Sequence, residues 1–172
     1  MTRFELLGMA ALILGSGCGR APSPDSASAA RRAEAAADSG FAAVQERGRA
    51  AMGVDQFTST HQFVPLADGG RIELQRDTVD NAGIEQIRMH MRQIADAFRK
   101  GDFSLPGFVH DQAVPGTDVM AARRSAISYE AMDLPRGGAV RITTTDTIAI
   151  RAIHDFLAFQ RQDHHAGGKH EM

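Results

Sequence analysis

The chain contains two segments in which the same order of apolar and polar positions occurs. In the first segment, Arg71 to Gln75 alternates polar and apolar residues, which is typical of a half-buried strand. A weaker alternation from Thr58 to Leu66 precedes it, and the turn residues Ala67-Asp68-Gly69-Gly70 separate the two. From Asn81 to Arg99 apolar residues recur three and four positions apart, which predicts an amphipathic helix. The first segment therefore predicts strand, strand and helix.

The second segment follows the same plan. Ala126 to Met132 predicts a strand, Leu134 to Gly138 a turn, and Ala139 to Thr144 a second strand. A helix is predicted from about Thr147 to His165, with Asp146 as its N-cap. The two segments together predict an α+β fold built from a duplicated β-β-α unit. In this fold a four-stranded antiparallel sheet carries two helices packed on one face.

The segment between the two halves has no clear periodicity. Gly101 to Met120 contains Pro106, Gly107, Pro115 and Gly116, and it predicts a long loop. Loops of this length in compact domains are usually functional or mobile. We therefore expect either a lid or a binding surface here.

The N-terminus has the order of features found in an export signal. Arg3 is followed by the apolar run Leu6 to Leu14, which is shorter than the roughly 20 residues that span a bilayer. The small residues Gly15-Ser16-Gly17 then lead to Cys18, the only cysteine, in an order that resembles a bacterial lipobox. Residues 1–18 are thus predicted to be a lipoprotein signal peptide. Cys18 would be lipidated and would anchor an exported protein on the periplasmic face of a membrane. A plain secretory peptide and a short buried helix with an incidental cysteine are the alternatives.

Composition predicts the boundaries of the remaining parts. Residues 19–51 are rich in Ala, Ser and Pro and predict a partly helical tether, with its helix broken at Ser39-Gly40. Ile, Val and Phe appear at regular intervals only later, so the α+β domain is predicted over 52–166. Residues 167–172 predict a flexible tail.

Charge and motifs narrow the range of functions. The net charge is −2, only two lysines occur, Trp is absent and Tyr129 is the one tyrosine, so no nucleic-acid partner is expected. The sequence has no Gly-x-Ser-x-Gly elbow, phosphate-binding loop or dinucleotide-binding Gly-rich turn. An enzymatic function is therefore not favoured.

Histidines are the main candidates for chemistry. His90 and His154 lie on the flanks of the apolar stripes of the two predicted helices, where packed elements meet, so their rings are expected to converge on a pocket. Imidazole binds late transition metals, and nearby methionines such as Met89 and Met91 favour copper. Cu or Zn is therefore the expected ion if a cofactor binds. The candidate metal ligands are His61, His90, His110, His154 and His164.

Several segments are familiar, among them Thr60-His61-Gln62-Phe63, Phe108-Val109-His110-Asp111 and Ala152-Ile153-His154-Asp155-Phe156-Leu157. Together they resemble a group of short bacterial proteins that are often labelled "aspartate carbamoyltransferase", and the resemblance covers about Met52 to Gly168. The Ser-Thr-Arg-Thr-Arg phosphate loop of transcarbamoylases is absent. The resemblance implies that the five candidate histidines lie in recurring segments of that group, which favours a shared histidine site.

Three classes of function are therefore open. The first is a cell-envelope lipoprotein that binds a transition metal through clustered histidines. The second is a non-catalytic tethered module with a protein partner, which predicts dispersed histidines and an exposed apolar patch. The third is a small transferase or hydrolase with a histidine base.

Overall fold

A computed structural model of the chain describes residues 24–54 and 56–166. The chain divides into two compact units between Glu34 and Ala35, and the second unit contains the sheet. The helices are α1 (Pro24–Met52), α2 (Asn81–Arg99), α3 (Ser104–His110), α4 (Thr117–Ala122) and α5 (Thr147–Asp163). The strands are β1 (Ser59–Leu66), β2 (Gly69–Arg76), β3 (Ile127–Leu134) and β4 (Gly137–Thr144).

The four strands form one antiparallel sheet in the order β1-β2-β4-β3. Each hairpin closes through a two-residue connection, Ala67-Asp68 in the first and Pro135-Arg136 in the second. The second strands of the two hairpins pair with each other in the middle of the sheet. The predicted α+β fold is confirmed.

One face of the sheet is apolar and carries the helices. Phe63 lies beside Ile72, and Ile72 beside Val140, so that apolar side chains form a row across three strands. Successive side chains of a strand point to opposite faces, and these three residues belong to the face covered by helices. All three are buried, and Val140 is completely inaccessible to solvent.

Each helix covers mainly the hairpin of the other half. α2 follows β2 in sequence but packs mostly on β3 and β4, whereas α5 follows β4 and packs mostly on β1 and β2. Glycine permits the close approach in both cases. A Cβ atom on Gly70 would collide with the Leu157 side chain of α5, and one on Gly138 would lie 3.1 Å from Cγ of Met91 on α2. The two halves are therefore interlocked and not merely placed side by side.

Local capping explains where the two long helices begin and end. α2 has the predicted bounds, and it ends before Gly101, whose φ of +79° is readily adopted only by glycine. The backbone N–H groups of Ile148 and Ala149 donate to Asp146 Oδ1 over 2.8 and 3.3 Å, which confirms Asp146 as the N-cap of α5. α5 ends at Asp163, two residues before the predicted end.

The N-terminal helix corrects the predicted tether in two respects. α1 continues through Ser39-Gly40 without a break, because Gly40 faces open space and an exposed glycine costs a helix only about 1 kcal/mol. The compact unit also begins at Ala35 and not at Met52. Val44, Gly48 and Met52 are buried, so the last turns of α1 are part of the domain.

The segment predicted as a long loop contains two short helices. Pro106 is the third residue of α3, where a helix leaves the backbone N–H unbonded in any case. Gly116, with φ of +82°, precedes α4. Proline and glycine here set the starts of helices, and this is why their presence gave the wrong prediction of a loop.

Two predicted parts lie outside the described residues, namely the signal peptide of residues 1–18 with Cys18, and the tail of residues 167–172. Within 24–54 and 56–166, no helix combines the length and the apolar character needed to cross a membrane.

Candidate functional site

A small cavity lies where the helical layer meets the edge of the sheet. Its volume is about 70 Å³, and its walls come from the end of α1, β1, α2, α3 and the end of α5. Most of the wall is apolar, including Phe63, Phe98 and Phe156, and the side chains of Met52 and Met91 also line it. Four of the five candidate histidines contribute to this histidine pocket, namely His61, His90, His110 and His164.

His154 lies outside the pocket, and its ring is hydrogen-bonded to the backbone of the first hairpin. Its Nε2–H donates to the carbonyl oxygens of Leu66 and Gly69, at 2.9 and 3.0 Å. Both carbonyls flank the turn between β1 and β2, so His154 ties α5 to the hairpin that it covers. His90 and His154 had the same position relative to their apolar stripes, but only His90 reaches the pocket.

The rings of three histidines are neighbours. The ring centroid of His164 lies 4.8 Å from that of His61 and 5.0 Å from that of His110. The Phe63 ring lies 5.4 Å from the His164 ring and 5.7 Å from the His61 ring, so it closes one side of the group. The position of His164 directly after α5 and that of His61 on β1 bring the two rings together.

His110 is held by two side chains of α5 that were not among the candidate site residues. Its Nδ1–H donates to the Asp163 carboxylate, and its Nε2 lies 2.9 Å from Oε1 of Gln160. Gln160 and Asp163 are three residues apart, so they share one face of the helix. That spacing was visible in the sequence, but nothing there indicated that this face would meet His110.

Burial keeps the other three imidazoles neutral at neutral pH. It lowers the pKa of His90 from 6.5 to about 4, because the charged ring would lose its hydration. Burial is also the main cause that lowers the pKa of His61 to about 4, and His90 adds to the effect. The pKa of His164 falls to about 2, first through burial and then through the neighbouring His61, His110 and His165.

Three histidines of this lining have ring nitrogens without a hydrogen bond among the described residues. Nδ1 of His164 is buried and has no hydrogen-bond partner among the described residues. Within the same part of the chain, the rings of His61 and His90 make no hydrogen bond either. A buried polar atom without a partner costs about 1–3 kcal/mol, so the pocket carries unused capacity to bind a ligand.

The pocket is electrically neutral and offers few donors. Its lining residues include no Asp, Glu, Lys or Arg. In the described part of the chain, no group of three or more His, Cys, Asp or Glu side chains is arranged to hold a metal ion. His110 explains part of this result, because Asp163 and Gln160 already engage both of its ring nitrogens.

The end of α1 forms one wall of the pocket. Gly48, Ala51 and Met52 line it. Arg47 Nε donates to the carbonyl oxygen of Val109 over 2.6 Å, and Gln86 Nε2 donates to that of Met52 over 3.2 Å. These bonds attach α1 to α3 and α2, and small residues at positions 48 and 51 leave room for the cavity.

The fold and the pocket thus define a two-layer α+β protein with an apolar, histidine-lined cavity between its layers. No family model, curated protein or solved structure matches the chain.

Proposed function

We propose that the protein is an exported, lipid-anchored protein that binds one late transition-metal ion in the histidine pocket, through ring nitrogens of His61 and His164. The observation that carries the proposal is the pairing of these rings, with centroids 4.8 Å apart and with a buried, unbonded nitrogen on His164. With metal–nitrogen bonds of about 2 Å and a roughly tetrahedral angle at the ion, two imidazoles that share one ion have centroids about 5 Å apart. His90 also lines the pocket, but among the described residues it does not form a three-ligand group with these two histidines.

The size of the cavity favours an ion over an organic ligand. At about 70 Å³ it has less than half the volume of the cavity of about 150 Å³ that accommodates benzene. Organic ligands larger than benzene need more space still. A single ion, coordinated by side chains of the cavity wall, fits the available volume.

The protonation state of the rings favours the same conclusion. A metal ion binds the neutral imidazole, and protons compete with it wherever the histidine is charged. The lowered pKa values of His61 and His164 leave both rings free of that competition at neutral pH.

The clustering also weighs against a non-catalytic interaction module. That alternative predicted dispersed histidines, whereas four of the five candidates line one cavity. The lipid anchor on Cys18 is a separate part of the proposal and rests on the order of residues 1–18.

Metal titration of the full chain tests the proposed site. Cys18→Ser removes the only thiol, so that neither acylation nor thiolate binding complicates the result. We expect one ion per chain, and a loss of affinity of about tenfold or more in His61→Leu and in His164→Leu. His154→Gln is the matched control, because its amide can still donate to the hairpin carbonyls and the residue lies outside the pocket. Circular dichroism checks that each variant is folded. Binding that survives both pocket substitutions would contradict the proposal, as would the absence of bound metal.

A further inference from the structure

We infer that the ion is Cu(I), which the pocket selects over Zn(II) and Cu(II). This inference rests on the proposed function, since it concerns the same site. It follows from three properties of the pocket, which are the number of its donors, their softness and the absence of charge.

The number of donors is too small for zinc. Protein-bound Zn(II) is almost always four-coordinate, with nitrogen, sulfur or carboxylate ligands. In the part of the chain that is described, no set of three such side chains is arranged around a common point. Among the described residues, His61 and His164 form a close pair of rings that retains unbonded nitrogens, and His110 is already engaged. Cu(I) is stable with two or three ligands.

The remaining donors at the cavity are soft. Met52 and Met91 line the pocket together with the histidines, and both are buried. Thioether sulfur combined with imidazole favours Cu(I), whereas Cu(II) prefers a tetragonal set of nitrogen and oxygen ligands. Gln160 is the one residue of this lining with a side-chain oxygen, and its Oε1 lies within hydrogen-bond distance of His110.

The charge of the ion also favours Cu(I) over Zn(II) and Cu(II). The cost of placing an ion in an apolar environment rises with the square of its charge, so a divalent ion is far more costly than a monovalent one. A carboxylate ligand would offset that cost, but no Asp or Glu lines the pocket. Asp163 lies behind the His110 ring and is paired with it. A neutral, apolar pocket therefore tolerates Cu(I) better than Cu(II) or Zn(II).

Competition titrations test the selectivity. The Cys18→Ser full chain is titrated without oxygen with Cu(I) against a chromophoric Cu(I) chelator, and in parallel with Zn(II) and Cu(II) against chelators for those ions. We expect Cu(I) to bind at least about a hundredfold more tightly than Zn(II). Met91→Leu and Met52→Leu are each expected to weaken Cu(I) binding about tenfold or more. Leucine is chosen because a Met→Leu substitution nearly conserves the volume of a core side chain. Met89→Leu is the control: Met89 lies on the exposed side of α2, and we expect its substitution to leave Cu(I) binding unchanged.

The outcomes separate this inference from the function on which it rests. Binding of Zn(II) or Cu(II) as tight as that of Cu(I) would overturn the inference and leave a histidine metal site in place. Cu(I) binding that neither Met91→Leu nor Met52→Leu weakens would also overturn it, because the soft donors would then play no part. If none of the three ions binds, the inference and the proposed function fail together.

Discussion

His164 lies where three other aromatic rings meet, and its environment controls its chemistry. The rings of His61, Phe63 and His110 all have centroids within 5.4 Å of its own. The same crowding that removes water from His164 also prevents its protonation, and it leaves Nδ1 without a partner. The residue is thus costly in the metal-free protein, and a bound ion would relieve that cost.

The buried His90 predicts how the stability of the metal-free protein depends on pH. The pKa of His90 is about 4 in the folded protein and 6.5 for a solvent-exposed histidine, as in the unfolded chain. Between pH 4 and pH 6.5 the unfolded chain therefore holds a proton on this residue that the folded chain does not. The stability from this residue is complete above pH 6.5, and it is lost as the pH falls toward 4. The loss by pH 4 amounts to roughly 3 kcal/mol.

Urea unfolding from pH 7 to pH 4, in the presence of a metal chelator, measures this effect. In His90→Leu we expect the free energy of unfolding to fall less steeply with acid than in the parent chain, by about the same roughly 3 kcal/mol. Met89→Leu, one residue away and exposed, should follow the parent profile. Parallel profiles for His90→Leu and the parent would contradict the buried, neutral state of His90.

Among the secondary-structure elements, the spacing of apolar residues predicted the ones that have a strong apolar stripe. The bounds of α2 and the pairing of strands into two hairpins followed from the sequence, because apolar residues recur with the period of a helix in α2 and turn residues separate the strands of each hairpin. The packing of α1 did not follow, because the small residues Gly48 and Ala51 stand between the buried Val44 and Met52 and leave only a weak apolar stripe in the sequence. The short helices α3 and α4 were missed because proline and glycine mark their starts.

The candidate site could be predicted in part for a related reason. The sequence identified the histidines, but a flank position on a helix does not determine which neighbour the ring meets. His90 faces the cavity, whereas His154 donates to two hairpin carbonyls. Only tertiary packing distinguishes the two. The same holds for Asp163 and Gln160, which hold His110 from a distance of about 50 positions along the chain.

A glycine under α5 gives a test of the packing between helix and sheet. In Gly70→Ala the new Cβ would meet the Leu157 side chain and would lie 3.0 Å from the carbonyl oxygen of Val64. We expect this overpacking to lower the free energy of unfolding by about 1–3 kcal/mol, as measured by urea unfolding. Gly40→Ala in α1 is a control with the opposite sign, because nothing lies within 4 Å of its Cβ. It should stabilise the protein by up to about 1 kcal/mol. If Gly70→Ala left the free energy of unfolding unchanged, α5 would not approach β2 this closely.

At the scale of the whole molecule, the interlocked helices make the two halves depend on each other. α2 leaves its own hairpin to cover β3 and β4, and α5 covers β1 and β2. A half taken alone would expose both the apolar face of its hairpin and the apolar stripe of its helix.

Separate expression of the halves tests this dependence. A fragment of residues 52–100 should lack cooperative thermal unfolding by circular dichroism, because it contains α2 but not the β3–β4 hairpin on which α2 packs. The intact chain, measured under the same conditions, should unfold cooperatively. A fragment that unfolds in one cooperative transition would show that the exchange of helices between halves is not needed for stability.

The interlocking also explains where the pocket lies. β1 and α2 of the first half carry His61 and His90, and His164 follows α5 of the second half, which packs on β1. The metal site that we propose is thus formed only in the complete domain. It includes the end of α1, which the sequence had assigned to a tether.

The location of a bound ion is the most direct test of this account. Crystals of the Cys18→Ser chain, loaded with Cu(I) without oxygen, would be measured at the copper absorption edge. We expect a single anomalous peak in the histidine pocket, about 2 Å from a ring nitrogen of His61 and of His164. An empty pocket, or copper found only at His165 or His170 near the C-terminus, would contradict it.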